Sequence, residues 1–257
     1  MNSSNSKQNN KPLIIANTKA YITSLRDFYK LQDKIWLKLD KENYKYYCAV
    51  PSPLISSISK EEYNAIVVGA QNFETVELGA HTGSSTFENI LEAGARFVIL
   101  GHSEVRKNGE TDILINEKVK KSLNKKTLTI LCLGESERNE NNDYVDIIKD
   151  QLKKCLSHID KNETHNLVVA YEPLWAIGAA ISATSEEAQE AIIIIRRTLV
   201  DMFGIDNAKK IKVVYGGAVD DNNAKRFITD ATADGVLVGR ACMDADKFAS
   251  IVNSLLF

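Results

Sequence analysis

Leu167-Val168-Val169-Ala170-Tyr171-Glu172-Pro173 decides the fold: a wholly apolar run stops on a carboxylate, and a proline follows at once. Pro173 keeps Glu172 extended, so the carboxylate stands at the end of a strand. Similar short apolar runs recur along the chain: Leu13–Ala16, Tyr46–Val50, Ala65–Val68, Phe97–Leu100, Thr127–Leu133, Ile211–Tyr215 and Gly235–Val238. Between most of them lie amphipathic segments of helical period, among them Thr111–Leu123, Asp143–Ile159, Thr184–Phe203 and Asp244–Leu255. Thr184-Ser185-Glu186-Glu187 has the form of a capping box, with Thr184 and Glu187 taking up the first free N–H groups of the helix. Strand and helix in alternation predict a parallel sheet with right-handed crossovers. Eight such units predict a closed parallel (β/α)8 barrel. An open doubly wound sheet would also fit the alternation, but no GxGxxG follows the first strand.

Bulk properties narrow the class. The 257 residues suit one domain over 12–257, preceded by a Ser/Asn/Lys/Gln-rich tail, 1–11, expected to be disordered. Lys and Arg number 32 against 34 Asp and Glu, so nucleic acid is not an expected partner. No apolar run approaches the roughly 20 residues of a membrane span. The four cysteines have neither CxxC nor metal spacing, which reads as thiols of a reducing compartment, and a cytoplasmic location is expected.

The chemistry gathers at strand ends. Asn17 and Lys19, two apart, share one side of the first strand if Leu13 and Ile15 fill the barrel interior. There a cation could hold an anionic substrate and an oxyanion; alone, Lys19 reads equally as a surface lysine. His102 follows Phe97–Leu100 and precedes Ser103-Glu104. Glu172, at a partly apolar mouth, suits a general base. The apolar segment Pro173-Leu174-Trp175-Ala176-Ile177-Gly178-Ala179-Ala180-Ile181-Ser182-Ala183 is expected to be a lid. Seven glycines (Gly69, Gly101, Gly134, Gly178, Gly216, Gly217 and Gly239) are read as strand-end glycines. Those in Tyr215-Gly216-Gly217-Ala218 and Gly235–Arg240 suit a phosphate site on the last two units. Together these groups suit proton transfer beside a carbonyl in a phosphorylated substrate.

From about Leu13 onward the chain resembles the triosephosphate isomerase family. The resemblance rests on Val68-Gly69-Ala70-Gln71-Asn72, Gly101-His102-Ser103-Glu104, Cys132-Leu133-Gly134-Glu135, the run Ala170 to Gly178, and the two glycine-bearing strand ends. It implies a TIM barrel interconverting two triose phosphates through an enediolate, a glycolytic reaction that needs no metal or organic cofactor. The family's roles carry over as Glu172 the base, neutral His102 the electrophile, and Lys19 with Asn17 the stabiliser of the enediolate. Glu104 orients Lys19, Cys132 and Tyr215 lie behind the reacting groups, and backbone N–H groups of Gly178, Ala218, Gly239 and Arg240 hold the phosphate. The resemblance also implies a homodimer built on Leu78–Gly83, with Thr82 at the loop tip. Ala218 departs from the family's serine and Arg240 from its usual glycine; the Arg240 guanidinium is expected to offset the donor lost at Ala218. A non-catalytic triose-phosphate-binding paralogue on the same barrel is the alternative.

Overall fold

The computed structural model describes residues 11–39, 45–60, 65–177 and 182–256. Eight parallel strands close into a barrel in chain order: β1 (Leu13–Asn17), β2 (Tyr46–Val50), β3 (Ile66–Ala70), β4 (Phe97–Leu100), β5 (Leu128–Leu133), β6 (Leu167–Tyr171), β7 (Lys212–Tyr215) and β8 (Gly235–Val238). The helices are α1 (Leu25–Trp36), α2 (Ser52–Ser59), α3 (Phe87–Glu92), α4 (Ser103–Lys107), α5 (Asp112–Asn124), α6 (Tyr144–Cys155), α7 (Ser185–Phe203), α8 (Ile205–Ala208), α9 (Ala224–Thr229) and α10 (Ala245–Ser254). The expected tail falls almost wholly outside the described residues.

Strand parity divides the core. Leu13, Ile15, Phe97, Ile99, Ile130, Cys132, Val168, Ala170, Val214 and Leu237 fill the barrel interior. Their neighbours Ile14, Val98, Leu131, Val169, Val213 and Val236 face the helical layer. Period-two burial on both faces accounts for the unbroken apolar runs, because each strand is covered inside and out.

Two local differences have physical causes. The third strand runs on through Gly69 and Ala70 rather than ending at Val68, with Gly69 opposite Ala49. Gly69 leaves room for the Phe97 ring, whose Cε1 would lie 2.2 Å from an added Cβ, so it is a packing glycine inside a strand. The α6 helix stops at Cys155, four residues before the expected Ile159, and His158 takes a left-handed φ of 57° in the turn that follows. The Thr184–Glu187 capping box forms as expected, with Glu187 N donating to Thr184 Oγ1 at 3.1 Å and Thr184 N to Glu187 Oε2 at 2.7 Å.

Candidate active site

β1 ends at Asn17, and Lys19 sits beyond it in a turn at φ 47°. Strand alternation therefore does not aim Lys19; the turn does. A left-handed lysine costs roughly 1–2 kcal/mol, and hydrogen bonds from three side chains offset it. Asn17 Oδ1 accepts from Lys19 N at 3.0 Å. Thr18 Oγ1 donates to Ala49 O at 3.1 Å. Gln71 Nε2 reaches Lys19 O at 2.9 Å, Ala49 O at 3.2 Å and Thr18 Oγ1 at 3.3 Å. In the sequence Gln71 stands out only as part of the stretch Val68–Asn72 that carries the family resemblance, and its contacts to the Lys19 turn are not visible locally.

Lys19 Nζ is 2.8 Å from Glu104 Oε1. Partial burial works to raise the Glu104 carboxyl, but the hydrogen bond and charge of Lys19 outweigh it and hold it below the ordinary carboxylate range. Glu104 also approaches His102, with Oε2 3.8 Å from Nδ1.

His102 is the N-cap of α4, and its Nδ1 accepts from Glu104 N at 3.2 Å. A ring that accepts at Nδ1 carries its proton on Nε2. That Nε2 lies 3.5 Å from Glu172 Oε1. Glu172 is 1% exposed. Its Oε2 accepts from Ser103 N at 3.0 Å, while Oε1 has no hydrogen-bond partner among the described residues. A buried oxygen without a donor is costly to maintain, and this one belongs to a residue that lines the cavity beside His102.

The ends of β5 and β6 meet closely beneath this group. Glu172 N donates to Leu133 O at 2.8 Å. An added Cβ on Gly134 would stand 1.9 Å from Glu172 O, so only glycine permits the approach. Cys132, buried below, pairs with Ala170. Burial first, then the Glu172 charge, pushes its thiol well up, so it is a neutral packing group.

The segment after Glu172 is moored at its start. Glu135, fully buried, accepts from Tyr171 Oη at 2.8 Å, Trp175 Nε1 at 2.9 Å and Arg138 Nε at 3.0 Å. Leu174 N donates to Glu135 O at 2.9 Å. Arg138 Nη2 reaches on to Glu187 O at 2.8 Å, which ties this mooring to the first turn of α7. Pro173–Ile177 and Ser182–Ala183 are placed so; Gly178, Ala179, Ala180 and Ile181 lie outside the described residues, including the Gly178 phosphate contact.

A cavity of about 480 Å³ opens over these groups. Asn17, Lys19, His102 and Glu172 line it together with Gly216, Gly217, Ala218, Gly239 and Arg240. Arg240 is exposed, makes no ion pair among the described residues and is absent from the positive-φ residues. Asn223 Nδ2 donates to Ala218 O at 2.9 Å and braces that loop. Tyr21, Asp220, Asp244 and Lys247 extend the lining beyond what sequence reading named. Tyr215 does not line the cavity; its ring stacks on Phe227 at 3.6 Å, and its hydroxyl is buried without a partner among the described residues. Thr82 stands apart, exposed in the loop that also carries Leu78. Among the described residues, no group of three or more His, Cys, Asp or Glu is placed to hold a metal, and no helix is long and apolar enough to cross a membrane.

With this geometry in view, the chain compares closely with known proteins. The family model described as triosephosphate isomerase matches residues 12–255. A triosephosphate isomerase of Alkaliphilus oremlandii is 36% identical over 246 residues, covering 95% of this chain and 99% of that protein. One of Flavobacterium psychrophilum is 40% identical over 204 residues, covering 79% and 82%. One of Clostridium botulinum is 42% identical over 190 residues, covering 73% and 77%.

Proposed function

The chain belongs to the triosephosphate isomerase family, and from that premise we propose that Glu172, His102 and Lys19 interconvert dihydroxyacetone phosphate and D-glyceraldehyde 3-phosphate through an enediolate. The enzyme is an aldose–ketose isomerase acting on a phosphorylated triose. Glu172 Oε1 removes a proton from the carbon beside the carbonyl. The C–H electron pair becomes a carbon–carbon double bond, and the carbonyl π pair moves onto oxygen. His102 Nε2–H faces that oxygen, gives it a proton and recovers one from the neighbouring hydroxyl. The Lys19 ammonium, held by Glu104 and assisted by Asn17, favours the negative oxygen. Protonated Glu172 then returns its proton to the adjacent carbon, so protons and electrons balance with no outside redox partner.

One observation carries this reading: a buried carboxylate oxygen without a donor among the described residues lies 3.5 Å from an imidazole Nε2 at a cavity shared with a lysine. Backbone N–H groups of Gly178, Ala218, Gly239 and Arg240 hold the phosphate, and the Arg240 guanidinium adds a cation where Ala218 offers no hydroxyl. The segment Pro173–Ala183 closes over the intermediate. Two copies associate through the Leu78–Gly83 loop, whose Leu78 is 70% exposed in the single chain. A cytoplasmic location suits four unpaired, buried thiols. A coupled assay on glyceraldehyde 3-phosphate tests the activity; a chain that binds the triose phosphate without turnover contradicts it.

A further inference from the structure

Arg106 lies one helical turn after His102 and outside the cavity lining, yet its side chain is tied into the peptide that aims the imidazole. Its Nε donates to Gly101 O at 2.7 Å. Gly101 takes φ 68°, and the turn it makes at the end of β4 delivers His102 to the cavity. The same guanidinium crosses to the next strand, where Nη2 donates to Cys132 O at 3.2 Å. Cys132 pairs with Ala170, and the adjoining Leu133 O accepts the Glu172 N–H. One planar group therefore fastens the turn carrying the imidazole to the strand supporting the carboxylate.

The guanidinium is itself held. Nη1 lies 2.6 Å from Asp112 Oδ1 at the start of α5, and the side chain is 15% exposed. Cys155 on α6 donates its thiol to the same Asp112 oxygen at 3.4 Å. Burial pushes that thiol up to about 12, so it serves as a neutral donor and Asp112 as the counter-charge. A guanidinium suits the task because its donors diverge in a fixed plane.

We propose that Arg106 is a positioning residue for the isomerisation: by clamping the Gly101 and Cys132 carbonyls it fixes the separation of His102 Nε2 from Glu172 Oε1. The inference rests on the function proposed above. A lysine at this position keeps the charge beside Asp112 but cannot reach both carbonyls from one ammonium. Loss of registry between base and electrophile should lower turnover on the order of 100-fold. The phosphate and Lys19 contacts do not pass through Arg106, so KM should stay within about threefold.

The experiment compares wild type, Arg106→Lys and Arg106→Ala at a temperature where circular dichroism shows each folded. Both variants are expected to lose kcat with KM nearly unchanged, and low millimolar guanidinium should restore part of the kcat of Arg106→Ala. If Arg106→Ala does not fold, Arg106→Lys carries the comparison. A variant with a lowered Tm and wild-type kcat would overturn the proposal, since Arg106 would then serve stability alone. Nitrogen NMR of the His102 ring needs no turnover and separates failure here from failure of the assigned activity. Its resonances are expected to shift in Arg106→Lys, and unchanged resonances would overturn the clamp even if wild type proved inactive.

Discussion

Replacing Gly134 by alanine brings a Cβ to 1.9 Å from Glu172 O and 2.6 Å from Glu172 C, both backbone atoms that cannot rotate away. A tolerable contact lies near 3.0 Å, so the ends of β5 and β6 must part by about 1.1 Å. That displacement strains the 2.8 Å bond from Glu172 N to Leu133 O and moves the carboxylate relative to His102. Overpacking of this kind costs about 1–3 kcal/mol of stability. A shift of about 1 Å at a reacting group costs on the order of 100-fold in kcat. Gly235→Ala is the control: its Cβ would meet Leu13 O at 2.0 Å, an equal clash at the opposite end of the barrel. Steady-state kinetics and thermal melts on both variants decide the matter. Both should melt earlier, but only Gly134→Ala should lose turnover. Equal kcat losses in the two, or none in Gly134→Ala, would refute the claim that the β5–β6 junction sets the base.

Other outcomes follow from the same geometry. Arg240→Gly should raise KM about tenfold if the guanidinium makes a charge-assisted bond worth about 1.5 kcal/mol, and inorganic phosphate should inhibit it less; an unchanged KM removes Arg240 from the phosphate site. The Glu104 carboxyl, held low against burial by Lys19, should titrate below its ordinary value in carboxyl NMR. Because its folded value is depressed, its contribution to stability is present above the ordinary carboxylate range and is lost as pH falls through the folded value. Lys19→Met should move the midpoint upward, and an unmoved midpoint would exclude Lys19 as the cause. Light scattering should find a dimer at assay concentrations, whereas a fully active monomer would refute association through Leu78–Gly83.

The sequence was most legible where one residue decides an outcome locally. Apolar runs gave all eight strands because both barrel faces are buried, and Thr184 with Glu187 marked the start of α7 because a capping box spans only four residues. Glu172 and His102 were visible as polar residues ending apolar strands. Lys19 reaches the cavity lining, though not by alternation, which stops at Asn17: the lysine is aimed by a turn held from Gln71, 52 positions away. Gly69 looked like a turn glycine because nothing local reveals the Phe97 ring it accommodates. Arg106 and Glu135 stayed hidden for the same reason, since their partners come from other strands and helices.

The most direct measurement is NMR of the product formed in heavy water by wild type and by Glu172→Gln. Wild type should deliver triose carrying deuterium on the carbon that receives the returned proton, because the Glu172 acid exchanges with solvent, and Glu172→Gln should form almost none. Undiminished product from Glu172→Gln would contradict proton transfer through this carboxylate.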